Sequence, residues 1–215
     1  MNYLDLVNNV LRRMREDTVD SLYENEQSTV VADLINDAKR IVEDSHDWTA
    51  YKTDYTFATA AADSTYSLIG TKNRATIEDV RDLTSGGFLT YVPSQYMRRQ
   101  EMVDESVTTR PTYYCEDGVD ANGDTQIKLW PVPDGIYQMS VRAVRRADDL
   151  TEEGSELTIP HMPVIHYAHM MAARERGDVD SNDVQFLMGV AKKSLGDAIM
   201  YDVAKQPEKM VWYPI

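Results

Sequence analysis

The hydrophobic period of this chain changes twice, and that change constrains the fold more than any single motif. Over residues 3 to 15, Leu4, Val7, Leu11 and Met14 recur at helical spacing while Arg12, Arg13 and Arg15 lie mostly off the stripe. Ser21-Leu-Tyr-Glu24 has the Ser-x-x-Glu form of a capping box, and from about 26 to 46 Val31, Leu34, Ile35, Ala38, Ile41 and Val42 continue at 3.6, which predicts a long second helix ending near His46-Asp47-Trp48. After Trp48 the period becomes two: Tyr51, Thr53, Tyr55 and Phe57 alternate with Lys52, Asp54 and Thr56, as in a half-buried strand. Helical spacing returns at His161 to Arg176, with Ile165, Ala168 and Ala172 inward, and again from about 182 to 204 through Val184, Leu187, Met188, Ala191, Leu195, Ala198 and Ile199.

Between these helices the strand signals are short. Ser64 to Leu68, Thr76 to Val80, Phe88 to Val92, Pro111 to Cys115, Gln126 to Trp130 and Tyr137 to Arg145 read as extended, and Pro93 opens a short helix. Ile127-Lys-Leu-Trp-Pro-Val-Pro-Asp-Gly135 followed by Tyr137 reads as a hairpin whose prolines, unable to donate ladder hydrogen bonds, cap the strand end. The expected fold is α+β: N- and C-terminal amphipathic helices form a helical bundle, with a small antiparallel β subregion inserted between them. The expected divisions are 1–50 with 160–204 for the bundle, 51–159 for the β-rich insertion with a short helix near 93–103, and 205–215 for an extended C-terminal interaction tail.

Composition narrows the function. The 215 residues carry 36 acidic against 22 basic side chains, a net charge of -14, and no apolar run reaches the roughly 18 residues of a membrane span. A reader of DNA needs a basic stripe to neutralise phosphates, so specific nucleic-acid binding is not expected, whereas an acidic wall repels passing DNA and keeps it from sticking. The opening Met-Asn-Tyr-Leu-Asp-Leu has no basic segment followed by an apolar stretch, so no secretory signal and synthesis in a cytoplasm are expected. The single cysteine, Cys115, rules out an internal disulfide framework.

Catalytic and metal motifs are not found. His161, His166 and His169 with Glu175 are spaced to face a metal, but there is no His-Glu-x-x-His and no second ligand cluster, so neither a metal nor another cofactor is expected. Asp117-Gly-Val-Asp120-Ala-Asn122-Gly-Asp124 resembles a calcium loop until its register fails: glycine comes too early and Pro131 stands where the bidentate acid belongs. Cys115, between tyrosines and an acid, reads as a packing residue, and no catalytic residue is assigned.

What remains is interaction chemistry. Met210, Val211, Trp212 and Tyr213 are of the types that anchor interfaces, and the alternative is a tail folded on its own core. Trp130, Pro133, Asp134 and Tyr137 at the proline turn, with Arg142, Arg145 and Arg146 beyond it, form a second candidate contact; those arginines pair either within the chain or with the carboxylates of a neighbouring copy.

The order of parts is itself familiar. Tyr3-Leu-Asp-Leu-Val-Asn-Asn-Val-Leu-Arg-Arg, the helix running into His46-Asp-Trp48, Ile127-Lys-Leu-Trp-Pro-Val-Pro, and Leu157-Thr-Ile-Pro160 before two helices together resemble the head-to-tail adaptor proteins of tailed bacteriophages, including the tail tubular protein A type of short-tailed phages. That resemblance implies a non-enzymatic virion protein at the head-tail junction: a ring of about twelve copies, closed by heterologous contacts. Its partners would be further copies of itself, the portal protein, the tail nozzle or tail tube protein, and double-stranded DNA passing through the channel without specific binding, with no membrane. In that setting Met210 to Tyr213 are expected to meet the portal or a neighbour, and the Trp130 to Arg146 residues the nozzle or a neighbour. Two rival readings are a tail-associated cell-wall hydrolase and an acidic DNA mimic that inhibits a host protein.

Overall fold

The computed structural model describes residues 1–103, 107–177 and 180–205. Along the chain run α1 (Tyr3–Arg13), α2 (Glu26–Asp44), β1 (Lys52–Ala58), β2 (Thr65–Ser67), β3 (Ala75–Asp82), β4 (Gly87–Phe88), β5 (Thr90–Tyr91), α3 (Ser94–Val103), β6 (Tyr113–Val119), β7 (Thr125–Trp130), β8 (Gln138–Arg145), α4 (His161–Arg176) and α5 (Ser181–Val203). The chain divides into two units: residues 1–50 with 148–215, and residues 51–147.

In the helical unit each helix is fixed by local chemistry. Asn2 caps α1, its side chain accepting from Asp5 N–H at 2.7 Å. The box that opens α2 is made by Asn25 and Ser28, not by the Ser21 and Glu24 that the sequence pattern suggests. Asn25 Oδ1 accepts from Ser28 N–H at 2.8 Å and Ser28 Oγ accepts from Asn25 N–H, whereas Glu24 accepts from Asp20 N–H one turn earlier. Pro163 is tolerated because it stands in the first turn of α4, which ends on Gly177 at φ 69°, a left-handed position suited to glycine. Asp180 caps α5 through Asn182 and Asp183 N–H.

α4 is the centre of this unit. It packs against α1, α2 and α5, and its buried residues, including Val164, Ile165, Tyr167, Ala168, Met170 and Ala172, occupy most of its circumference. α2 buries the stripe Val31, Ala32, Ile35, Ala38 and Val42. The segment after residue 147 is stitched along it: Asn36 exchanges two hydrogen bonds with the backbone of Leu150, Lys39 Nζ donates to Asp148 O at 2.9 Å, and Arg40 grips the Asp149 carboxylate. Further on, Leu157 N–H donates to Met1 O, and Glu156 bridges Asn2.

The other unit corrects the expected fold. The β portion is not a small antiparallel subregion: among the described residues eight strands form two four-stranded sheets, β1-β8-β3-β4 and β2-β7-β6-β5, and β5 pairs with β6 in parallel. Strands of two or three residues, as in β2, β4 and β5, carry too few positions for a period to register, so the sequence undercounts them. The hairpin is corrected too. β7 and β8 follow each other in sequence but pair in different sheets, and the Pro131–Gly135 connection, starting at a cis Trp130–Pro131 bond, carries the chain from one sheet to the other.

Alternation explains how both sheets are buried. Val80, Met139 and Val141 of the first sheet meet Tyr114, Ile127 and Leu129 of the second in one core with Leu68 and Leu89. Neighbouring positions on β6 and β7 point the other way, so Cys115 and Trp130 form a second cluster with Val92 and with Met97 of α3. A Lys128–Glu101 ion pair of 2.5 Å adds to that side.

Candidate functional site

The residues singled out for chemistry are occupied with structure. On α4, His161 is exposed while His166 and His169 are half-buried; burial, with the charge of Arg13 adding to it, pushes both imidazoles below their ordinary value. Among the described residues no group of three or more His, Cys, Asp or Glu is placed to hold a metal ion. The acidic loop between β6 and β7 is a braced turn. Asp120 Oδ1 accepts from Asn122 and Asp124 N–H at 2.8 and 2.9 Å, and Asp124 Oδ1 accepts from Gly70 and Lys72 N–H, both at 3.0 Å. Cys115 is buried, and burial raises its thiol pKa, the opposite of what a nucleophile requires.

The turn residues separate into an inner and an outer set. Trp130 and Pro133 are buried, Tyr137, Arg145 and Arg146 are half-buried, and Asp134 and Arg142 are exposed. Trp130 O accepts from Thr112 N–H and Pro133 O from Ala62 N–H. Thr59 ties the turn from below, donating through Oγ1 to Gly135 O at 2.8 Å and accepting from Tyr137 N–H at 2.8 Å. Tyr137 Oη donates to Asp134 at 2.6 Å, and the Arg110 guanidinium lies 5.2 Å over the Tyr137 ring while its Nε donates to Asp82 Oδ2 at 2.6 Å.

Asp82, which no motif in the sequence marks out, holds this end of the unit together. Its carboxylate also accepts from Thr84 and Ser85 N–H. Burial alone would raise its pKa, but the donors from Arg110, Thr84 and Ser85 outweigh that and hold it below the usual carboxylate value. On this scaffold Ile136 stands 74% exposed. Arg142 is not an idle cation: it makes a bidentate pair with Asp54, at 2.9 and 3.0 Å, directly across from it on β1.

In the helical unit the outward surface of α5 is the feature the inward stripe hid. Only Ala191 and Asp202 of its 23 residues are buried, and Phe186, Met200 and Tyr201 are about 70% exposed (69%, 74% and 70%). At its end Asp202 accepts from Thr49 N–H at 2.9 Å, Thr49 Oγ1 at 2.6 Å and His46 Nε2 at 3.1 Å, so the last turn is clasped to the end of α2. Met210, Val211, Trp212 and Tyr213 lie outside the described residues. No helix among the described residues is long and apolar enough to cross a membrane.

A family model described as SU10 adaptor protein matches residues 1–208, and no curated protein matches the chain.

Proposed function

The chain belongs to the SU10 adaptor protein family, whose members are structural components of bacteriophage particles that connect head and tail, and on that premise we propose that it forms a ring between portal and tail nozzle or tube. The observation that carries the reading is the family match over residues 1–208. The ring has about twelve copies related by heterologous contacts, and its channel passes the genome. A net charge of -14 on each copy suits a conduit, because negative walls keep DNA mobile.

Met210, Val211, Trp212 and Tyr213 meet the portal or the neighbouring copy. Asp134, Tyr137, Arg142, Arg145 and Arg146 meet the nozzle, the tube or a neighbour, while Trp130 and Pro133 hold that turn in shape from within. The exposed Ile136 and the Thr59 and Tyr137 bonds that fix its turn support this reading, since a rigid loop binds without an ordering cost.

Two measurements test the proposal. Electron microscopy of the purified chain mixed with its portal protein is expected to reveal a ring on the portal; a monodisperse dimer that ignores the portal overturns it. Removing residues 206–215 is expected to abolish portal attachment while leaving the circular dichroism spectrum unchanged, and undiminished attachment removes the role of Met210 to Tyr213.

A further inference from the structure

Phe186, Gly189, Lys193, Gly196, Met200 and Val203 fall at alternating steps of three and four along α5, the spacing of a seam between two helices, and all six are exposed. Nothing lies within 4 Å of where a Cβ would stand on Gly189 or Gly196, so another backbone can approach closely there. Lys193 sits at the middle of the seam with Lys192 beside it, and neither has an ion-pair partner among the described residues. This is a helix face with an apolar residue towards each end and, at its centre, Lys193 with Lys192 beside it against the one carboxylate of Asp197, a net positive patch on a chain that is strongly acidic.

The matching surface is on the same unit. α2 turns Asp33 and Asp37 outward near its midpoint, Asp37 lying 3.6 Å from the exposed Arg40, with Glu26 towards its start and Ile41 as an exposed apolar residue on the far side, so carboxylates outnumber the one cation there. α2 buries its inner stripe and α5 packs on α4 with Ala191 and Asp202 buried, so the exposed positions of both helices look out from the unit whose centre is α4. We infer that the outward face of α5 of one copy docks on the outward face of α2 of the next, Lys192 and Lys193 against Asp33 and Asp37. One copy uses α5 and the other α2, so the contact is heterologous and propagates from copy to copy, as ring closure requires. The inference rests on the ring reading above and assigns it a surface.

The test is a charge exchange in the full chain. Lys192→Glu/Lys193→Glu and Asp33→Lys/Asp37→Lys alter exposed side chains only, so each variant is expected to keep the circular dichroism spectrum and melting temperature of the unaltered chain. Each alone is expected to self-associate roughly tenfold more weakly in sedimentation velocity at fixed ionic strength, since like charges then face each other. Mixed in equal amounts they are expected to recover the original association, because each then offers the helix face that the other's reversed face fits. Assembly of either variant as strong as that of the unaltered chain, or no recovery on mixing, overturns the α5–α2 contact while leaving the ring. An unaltered chain that forms no ring, alone or on its portal, overturns the ring and this contact together.

Discussion

Lys39 and Glu43 stand one turn apart on α2 with side chains 1% and 0% exposed and a 2.8 Å ion pair between them. Taking two charges out of water costs several kcal/mol per ion, and the pair persists because Lys39 also donates to Asp148 O, the first residue beyond the β unit. Glu43→Gln is therefore expected to destabilise the helical unit by about 3 kcal/mol in denaturant titration, because it leaves an ammonium buried without its counter-charge. The double change Lys39→Met/Glu43→Leu is expected to cost clearly less than Glu43→Gln alone. Neither residue could be singled out from sequence: both lie in a helix rich in charge, and what makes them interior, including the Asp148 carbonyl that Lys39 meets, comes from parts of the chain distant in sequence. Trp130 teaches the reverse lesson. A tryptophan at a strand end before Pro131 reads equally well as core or contact, and the alternation that puts Tyr114 and Leu129 in one cluster puts Cys115 and Trp130 in the other.

At the scale of elements, the long helices were legible because a 3.6-residue stripe over 11 to 23 residues needs no knowledge of the partner. Pairing was not legible. β7 and β8 are each visible in the sequence, but whether successive strands share a sheet is decided by the whole β core, and here they do not. The outward seam of α5 is hidden because Phe186, Met200 and Val203 lie off the inward stripe. The last turn of that helix depends on Asp202. Burial would raise its pKa, but the Thr49 and His46 hydrogen bonds, with Lys205 nearby, hold it below the ordinary carboxylate value. A depressed carboxylate contributes stability that is fully present above its unfolded pKa of about 3.9 and is lost as pH falls through the lower folded value. Asp202→Asn is expected to cost about 1–2 kcal/mol at pH 7, read as faster amide exchange in the last turns of α5. That difference from the unaltered chain is expected to shrink as pH falls below about 3.9; a difference that stays constant down to pH 2 would rule out the carboxylate as the clasp.

At the scale of the molecule, the β unit is an insertion whose two ends are neighbours. The chain enters it on β1 and leaves on β8, and those strands pair so that Lys52 stands opposite Val144. Directly opposed residues in an antiparallel pair lie only about 5 Å apart at their Cα atoms, so the excursion begins and ends at almost one point. The two hydrophobic clusters described above, with Leu68, Val80, Ile127, Leu129, Met139 and Val141 in one and Val92, Met97, Cys115 and Trp130 in the other, draw every member from residues 51–147. A segment with its own core and adjacent ends has what it needs to fold alone. Residues 51–147 expressed by themselves are therefore expected to give a cooperative thermal transition and a strand-rich circular dichroism spectrum. Residues 1–50 joined to 148–215 by a short glycine-serine linker are expected to give a helical one. The linker needs to span only that short gap, and the Asn36–Leu150 and Lys39–Asp148 bonds lie wholly within the rejoined part. If the β segment instead gives no cooperative transition, its two clusters are insufficient without the helices, and the chain folds as one cooperative body rather than as a helical frame carrying a β insertion.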